Sequence, residues 1–296
     1  MSADEHAERF SPLRPLLFTI VYEILGSATE SDDVLQDSYL RWADVDLATV
    51  RDTKSYLAQL VTRQALNALR AGARRREDYI GPWLPEPLLL AGNDASTDVL
   101  LAESVSMAML VLLETLTPDE RAVFVLREVF GFDYHDIAAA VGKSVATVRQ
   151  VAHRAREHVQ ARRKRFQPAD AAKTAWITEQ FMTAAATGDL EGLLSLLAPD
   201  VTWIADSGGK ATAARRPVVG VQKVAAVLRS MFRLGRLGNL RIEMVNCNNT
   251  PAMALIGERL EGVFLIEIAD GQITNFYAIR NPDKLLAVAV PRQISR

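Results

Sequence analysis

Cysteine is nearly absent from this chain of 296 residues: Cys247 stands alone. One thiol supports neither a disulfide framework nor a cysteine metal site. Histidine is sparse too, and His6, His135, His153 and His158 lie without ligand spacing. No apolar run reaches the roughly 20 residues of a membrane-spanning helix. The N-terminus, MSADEHAERF, is polar and acidic where a secretory signal is basic and then apolar. An excess of either charge is also missing, since 34 Lys and Arg face 36 Asp and Glu, a net charge of -2. These absences predict a cytoplasmic protein with no membrane partner and no metal site.

What is present is unevenly placed. Arg63, Arg70, Arg74, Arg75 and Arg76 fall in one stretch without an acid. Lys143, Arg149, Arg154, Arg156, Arg162, Arg163, Lys164 and Arg165 fall in another, against Glu157 alone. Two basic stretches in a near-neutral chain read either as solvated helix faces or as two contacts with an anionic partner.

The periodicity predicts helices over most of residues 7–166. PLLFTIVYEILG is apolar and stops at Gly26; Thr29 is placed to cap the next helix, with Val34, Leu35, Tyr39 and Trp42 inward. A third helix carries Tyr56, Leu57, Leu60, Val61, Leu66 and Leu69 as its buried stripe, and Arg63, Asn67 and Arg70 on its other side. Trp42 and Tyr56 are the aromatic candidates for stacking on an unpaired base, although core packing is the better account of either. DVLLAESVSMAMLVLLETL reads as one helix, and Thr117-Pro118 with Glu120 opens another through a capping box.

A short helix from Tyr134 to Val141, a turn at Gly142 and a longer helix capped by Ser144 then form a helix-turn-helix pattern. Val148, Val151, Ala152, Ala155 and Val159 face inward. Ser144, Thr147, Arg149, Gln150, His153 and Arg154 remain to meet DNA. Arg suits guanine O6/N7, Gln suits adenine N6/N7, and small residues at the helix start allow close approach to base edges. A plain helical hairpin is the other reading of the same spacing.

From residue 170 the texture changes. Two helical stretches lead into the strand-like runs VTWIAD, LRIEMVNC, AMALIGER, GVFLIEIAD and QITNFYAIR, separated by turn signals. Helices followed by consecutive antiparallel strands predict an α+β domain. Between the two textures lies GPWLPEP, residues 81–87. Three prolines exclude a helix or central strand and make a stiff, extended strap. Trp83 and Leu84 give that strap an apolar anchor that a mere spacer would not need.

Two motifs in order carry a family resemblance. SDDVLQDSYLRW resembles region 2 of bacterial sigma factors, and LTPDERAVFVLREVFGFDYHDIAAAVGKSVATVRQVAHRAR resembles their region 4. With little chain between them, the pair is similar to the extracytoplasmic-function (ECF) sigma factors. The residues after region 4 resemble a SnoaL-like domain of the nuclear-transport-factor-2-like fold, a curved sheet with helices around a cone-shaped cavity. Trp83-Leu84-Pro85-Glu86-Pro87, Asp206 to Lys210 (with Gly208 and Gly209) and Asn281-Pro282-Asp283-Lys284 resemble the SigJ-like sigma factors that carry this domain as a fusion.

The resemblance implies a multidomain fold: an all-α region 2 bundle over 7–76, a Pro-rich linker over 77–97, an all-α region 4 with helix-turn-helix over 98–166, and an α+β SnoaL-like regulatory domain over 170–290. It implies a promoter-specificity subunit that is not an enzyme and needs no metal or organic cofactor for that role. Its partners would be core RNA polymerase, through the β′ clamp and the β flap, and promoter DNA; the C-terminal cavity would be open to an unidentified small ligand. Asp33, Gln36 and Asp37 match the clamp-docking surface. Arg63, Asn67 and Arg70 match the helix that reads the -10 element and holds the opened strand, and the helix from Ser144 reads the -35 element. Gln64 and Asn67 stand where the family often has Asn and Asp, and Ser207 where the subgroup often has Gly. Trp83, Leu84 and the prolines are expected to pack near 206–210 and 281–284.

Two rival readings are a stand-alone, ligand-sensing helix-turn-helix regulator, and an enzyme of the same cone-shaped fold with Asp206 or Asp270 as general base. Asp206 precedes Gly208-Gly209 and is expected at a rim. Gly209-Lys210 is no phosphate-binding loop, because Ile204 and Ala211 stand where such a loop needs Gly and Ser or Thr.

Overall fold

The computed structural model describes residues 3–90, 98–163, 171–187, 189–233 and 240–296. These gather into two units, one from Met1–Glu77, Leu90–Arg162 and Arg292–Arg296, the other from Asp78–Leu89 and Arg163–Pro291. Lys164 and Arg165 of the basic tail, the polar linker end GNDAST and the expected boundary at 166–170 lie outside the described residues.

The first unit is helical. Helix α1 (Ala3–Phe10) leads to α2 (Arg14–Leu25), whose residues Leu16 to Leu25 are all buried. Gly26 ends α2 in the left-handed region at φ 69°, where a glycine carries no Cβ penalty. Helix α3 (Ala28–Ala43) is capped by Ser27, whose Oγ accepts from Glu30 N at 3.1 Å. Thr29 is therefore not the cap: the chain leaves Gly26 extended at Ser27 and is already helical two residues on. Trp42 is fully buried and donates from Nε1 to the His6 carbonyl at 2.9 Å, so it is a core residue rather than a stacking platform.

Helix α4 (Thr53–Glu77) packs against α2 and α3. Its inward stripe holds Leu57, Val61, Leu66 and Leu69, but Tyr56 is 37% exposed at the first turn beside Trp42. The expected single helix after residue 98 is two, α5 (Val99–Ser104) and α6 (Met107–Leu113). Ser106 divides them, because its side chain accepts from Met109 N and caps a new helix. Helix α7 (Pro118–Phe124) has the capping box between Thr117 and Glu120 and runs into a π-helical turn, Val125–Val129. Helix α8 (Tyr134–Val141), Gly142 at φ 70° and α9 (Val145–Arg163) follow.

The second unit is a six-stranded sheet in the order β2-β1-β6-β5-β4-β3 with helices on one face. Its elements are α10 (Ala171–Thr187), α11 (Leu190–Ser195), β1 (Leu197–Asp206), β2 (Val218–Val219), α12 (Val221–Arg233), β3 (Arg241–Cys247), β4 (Thr250–Ile256), β5 (Leu260–Ala269), β6 (Gln272–Ile279) and α13 (Pro282–Leu285). Strands β3 to β6 are antiparallel in sequence, but β1 runs parallel to β6. The purely antiparallel expectation fails here, because α12 and four strands, β2 to β5, intervene before the chain returns beside β1. On the helix-covered face Phe181, Trp203, Phe264 and Phe276 form the centre of an apolar core with Ile177, Val224 and Leu228. Truncating such a phenylalanine to alanine costs about 3–5 kcal/mol.

Candidate nucleic-acid interface

Helix α9 begins where Ser144 turns the chain after Gly142. Ser144 Oγ accepts from Thr147 N at 3.1 Å and lies 2.8 Å from Thr147 Oγ1. Val148, Val151, Ala152, Ala155 and Val159 are buried and seat the helix on its own unit. Rotation by 3.6 residues per turn then leaves Ser144, Thr147, Arg149, Gln150, His153 and Arg154 exposed on the opposite side. Tyr134 of α8 props two of the cations beside them, with Arg127 4.5 Å and Arg149 5.6 Å from its ring centre. Asp133 caps α8, and the backbone N–H groups of Asp136 and His135 hold its carboxyl below the usual range. A polar, cationic helix face on an apolar seat is the arrangement that enters a major groove.

Arg63, Asn67 and Arg70 share one exposed side of α4. Both arginines are engaged within the unit. Arg63 donates to the Ala139 carbonyl of α8 at 2.6 Å, and Arg70 pairs with Asp119 of α7 at 2.8 Å. Asp119 also holds Lys143 at 2.9 Å. Its partial burial raises its carboxyl, and the bonds from Lys143 and Arg70 outweigh that and lower it. Ser55 at the head of α4 reaches Asp136 of α8 at 3.1 Å. The side of α4 expected to meet DNA thus faces the helix-turn-helix. Arg74 and Arg75 lie in α4, but their side chains are outside the described residues.

On α3, Asp33, Gln36 and Asp37 are exposed together. Leu40 joins them at 60% exposure, one turn beyond. The sequence reading missed Leu40, although its i+3 and i+4 spacing from Asp37 and Gln36 was the available signal. Asp32 instead turns to its own unit, pairing with Arg292 at 2.6 Å and Arg14 at 3.5 Å.

In the second unit the strap meets the sheet. Asp206 is fully buried at the end of β1, not at a rim; the turn starts one residue later, with Gly208 and Gly209 at φ 57° and 75°. Its Oδ2 accepts from Leu84 N at 2.8 Å and pairs with Lys284 Nζ at 2.7 Å, and its Oδ1 accepts from the Tyr79 hydroxyl. Lys284 also donates to the Leu84 carbonyl and lies 3.3 Å from the Trp83 ring centre. Asn281 donates to Tyr79 Oη at 2.7 Å and caps α13. Lys210 pairs with Asp283. Pro85, Glu86 and Pro87 are buried along the strap, and Leu88 exchanges backbone and side-chain bonds with Asn248 at 2.9 Å each. A Cβ on Gly208 would sit 2.6 Å from Asn281 Nδ2 and 3.0 Å from Tyr79 Oη. The structure therefore brings together all three segments singled out in the sequence, with Pro282 at the first turn of α13.

Tyr79 completes this knot and was missed, since nothing in EDYI marks it. Burial and the bond to Asp206 push its phenol well up. Asp270, the other suggested base, is exposed in the β5–β6 turn at φ 52°. A third carboxylate, Glu267, alternates away from the apolar core on β5. It accepts from Tyr277 Oη at 2.5 Å and Asn275 Nδ2 at 3.0 Å, and burial pushes it up to about 7. Among the described residues no cluster of His, Cys, Asp or Glu is suited to a metal ion, and no helix is long and apolar enough to cross a membrane.

The chain is similar to known proteins over most of its length. The Sigma-70 region 2 family matches residues 10–75, Sigma-70, region 4 matches 106–159, and the SnoaL-like domain family matches 178–276. The chain is 35% identical over 292 residues to the ECF RNA polymerase sigma factor SigJ of Mycobacterium tuberculosis, covering 93% of this chain and 91% of that one. It is 27% identical over 274 residues to the probable ECF RNA polymerase sigma factor SigI of the same species, covering 92% of each. The crystal structure of M. tuberculosis SigJ superposes with a TM-score of 0.76 at 31% identity, covering 95% of this chain and 98% of that one.

Proposed function

The chain belongs to the extracytoplasmic-function RNA polymerase sigma factors, and from that premise we propose how its parts divide the work. It is a promoter-specificity subunit, not an enzyme, and it binds core RNA polymerase and promoter DNA. It works where the polymerase is, in the cytoplasm. The α9 face of Ser144, Thr147, Arg149, Gln150, His153 and Arg154 reads the -35 element in the major groove. Arg63, Asn67 and Arg70 of α4 meet the -10 element and its opened strand. Asp33, Gln36, Asp37 and Leu40 of α3 dock on the β′ clamp, while region 4 meets the β flap. The observation that carries this reading is the exposed polar face of α9 on its apolar seat.

The contacts between α4 and α8 support a second reading, that the helical unit is in a resting, closed form. Elements at -35 and -10 lie roughly 25 base pairs apart, about 85 Å at 3.4 Å per base pair. Two helices bonded through Arg63 and Ala139 cannot occupy both. Polymerase binding therefore separates the regions and frees Arg63 and Arg70 for phosphate.

The knot of Tyr79, Trp83, Leu84, Asp206, Asn281 and Lys284 makes the strap part of the C-terminal unit. The strap then sets how far region 4 can travel from region 2, and that is how the fused domain regulates the factor. Mixing the full chain with core polymerase and following co-elution tests the sigma assignment. Trp83→Ala should change promoter output while leaving core binding intact; unchanged output rules out the regulatory role of the strap.

A further inference from the structure

The helical unit contains a buried acid that no part of the DNA or polymerase reading uses. Glu23 lies on α2 with 0% exposure, where region 2 helices meet α5 and α7 of region 4. Ser104 Oγ stands 2.6 Å from Glu23 Oε1 and 2.9 Å from the Leu101 carbonyl. A hydroxyl has one hydrogen, so two acceptors compete for it. Both contacts are satisfied when the carboxyl carries a proton, donates it to Ser104 Oγ, and leaves that hydroxyl to donate to Leu101. The other carboxyl oxygen, Oε2, has no partner among the described residues.

The neighbouring cations make no bond to this carboxylate. From α7, Arg121 gives its Nε to the Glu23 backbone carbonyl at 2.8 Å and its Nη1 to Glu114 at 2.7 Å. From α4, Arg76 bonds Glu114 and the Leu25 carbonyl. From the π-helical turn, Arg127 serves the Phe132 carbonyl and Glu128 pairs with Arg156. An ionised Glu23 would be a buried charge with no ion pair of its own, which is strongly unfavourable.

We propose that Glu23 is a proton-controlled latch between regions 2 and 4: the closed unit requires its neutral carboxyl, and loss of that proton shifts the unit toward the open, promoter-competent form. The inference rests on the closed reading above. Burial pushes the carboxyl up to about 8, against smaller lowering effects of Ser104 and then Arg121. When the regions part, the group is hydrated and returns to the ordinary carboxylate range. The closed form is thus favoured at low pH and loses ground as pH rises toward 8, beyond which the effect is complete.

The test uses the full chain with Cys247→Ser and dyes on Asp44→Cys and Gln160→Cys, read by single-molecule energy transfer. The open-to-closed ratio should rise about tenfold per pH unit between pH 6 and 7.5 and level off above 8. Glu23→Gln should remove the slope. A flat wild-type profile, or the same slope in Glu23→Gln, overturns the latch. If the variant does not fold, the wild type labelled with 13C at glutamate carboxyls gives the answer: beside the Glu267 resonance near 7, which Glu267→Gln removes, a second should titrate near 8, and its absence overturns the latch. Adding core polymerase at pH 7 separates the two ideas. If polymerase leaves the ratio unchanged, the closed reading fails, whatever the slope.

Discussion

Two carboxylates buried in polar knots, Asp206 and Glu23, differ in how completely they are bonded. In the C-terminal unit, both Asp206 oxygens have partners, and Lys284 has a carboxylate, a carbonyl and an aromatic face. In the helical unit, Glu23 Oε2 and Arg121 Nη2 are buried without a partner among the described residues. A satisfied buried network fixes one geometry, whereas a part-satisfied one stores a cost that separation relieves. The contrast fits the two tasks proposed above, a strap that stays docked and a junction that opens.

The most direct way to break the comparison is to strip one knot. Asp206→Ala leaves Lys284 as an uncompensated buried charge and should destabilise the C-terminal unit by about 3–5 kcal/mol, measured by urea unfolding. Glu23→Gln should have the opposite sign. At pH 8.5 it removes a charge the fold holds badly, and the helical unit should gain on the order of 2 kcal/mol, below the ~5 kcal/mol that a full shift from 4.5 to about 8 allows. Loss of stability in both variants would show that the two knots do not differ in kind.

The C-terminal unit carries its own pH signal. Glu267 is raised to about 7, chiefly by burial. A carboxyl whose folded value is raised costs the fold nothing below its unfolded value, and the fold loses stability as pH climbs from there through about 7. The loss should approach about 3 kcal/mol by pH 8 and vanish in Glu267→Gln. Urea midpoints between pH 5 and 8 measure it, and equal pH dependence in the two proteins would refute the assignment.

How much of this was legible in the sequence follows from the range of each interaction. The Thr117 capping box, the Gly142 turn and the division of α9 into a buried and an exposed side are local patterns, and they read correctly. The strap's anchor was legible because an aromatic beside prolines has no local use. Tyr79 was not, because its partners Asp206 and Asn281 lie 127 and 202 residues away. Asp206 was read as a rim residue because glycines follow it, yet the turn forms only after the carboxylate is buried. Glu23 was hidden in PLLFTIVYEILG, where one acid in an apolar helix looks like noise. Helix α12 was left unassigned, although Val221, Val224, Val227, Leu228 and Met231 keep helical spacing. The parallel β1–β6 pairing depends on how the whole sheet closes, which no single strand announces.

A smaller effect sharpens the contrast at the strap. Gly208→Ala meets Asn281 and Tyr79 and must hold a positive φ, so it should cost about 1–3 kcal/mol in the C-terminal unit. Arg149→Ala should leave stability unchanged and lower discrimination at one position of the -35 element by about 1–3 kcal/mol, read by initiation from single-base promoter variants. Equal loss on every variant would reassign Arg149 to phosphate.

The smallest change is the most discriminating for the closed form. Arg70→Ala removes an ion pair with Asp119 that is half exposed, 52% on the Arg70 side. Exposed pairs contribute roughly 0–1 kcal/mol, so unfolding should barely respond. Its effects on promoter binding oppose each other: the closed form is slightly weakened, and a phosphate contact is lost. Salt separates them, because only the phosphate contact releases counterions; the slope of log affinity against log salt should fall by about one unit. Asp119→Asn weakens the same pair but keeps the arginine, so it should ease opening and leave the slope alone. If both variants shift the slope equally, Arg70 acts only through its pair with Asp119, and α4 meets the promoter through other residues.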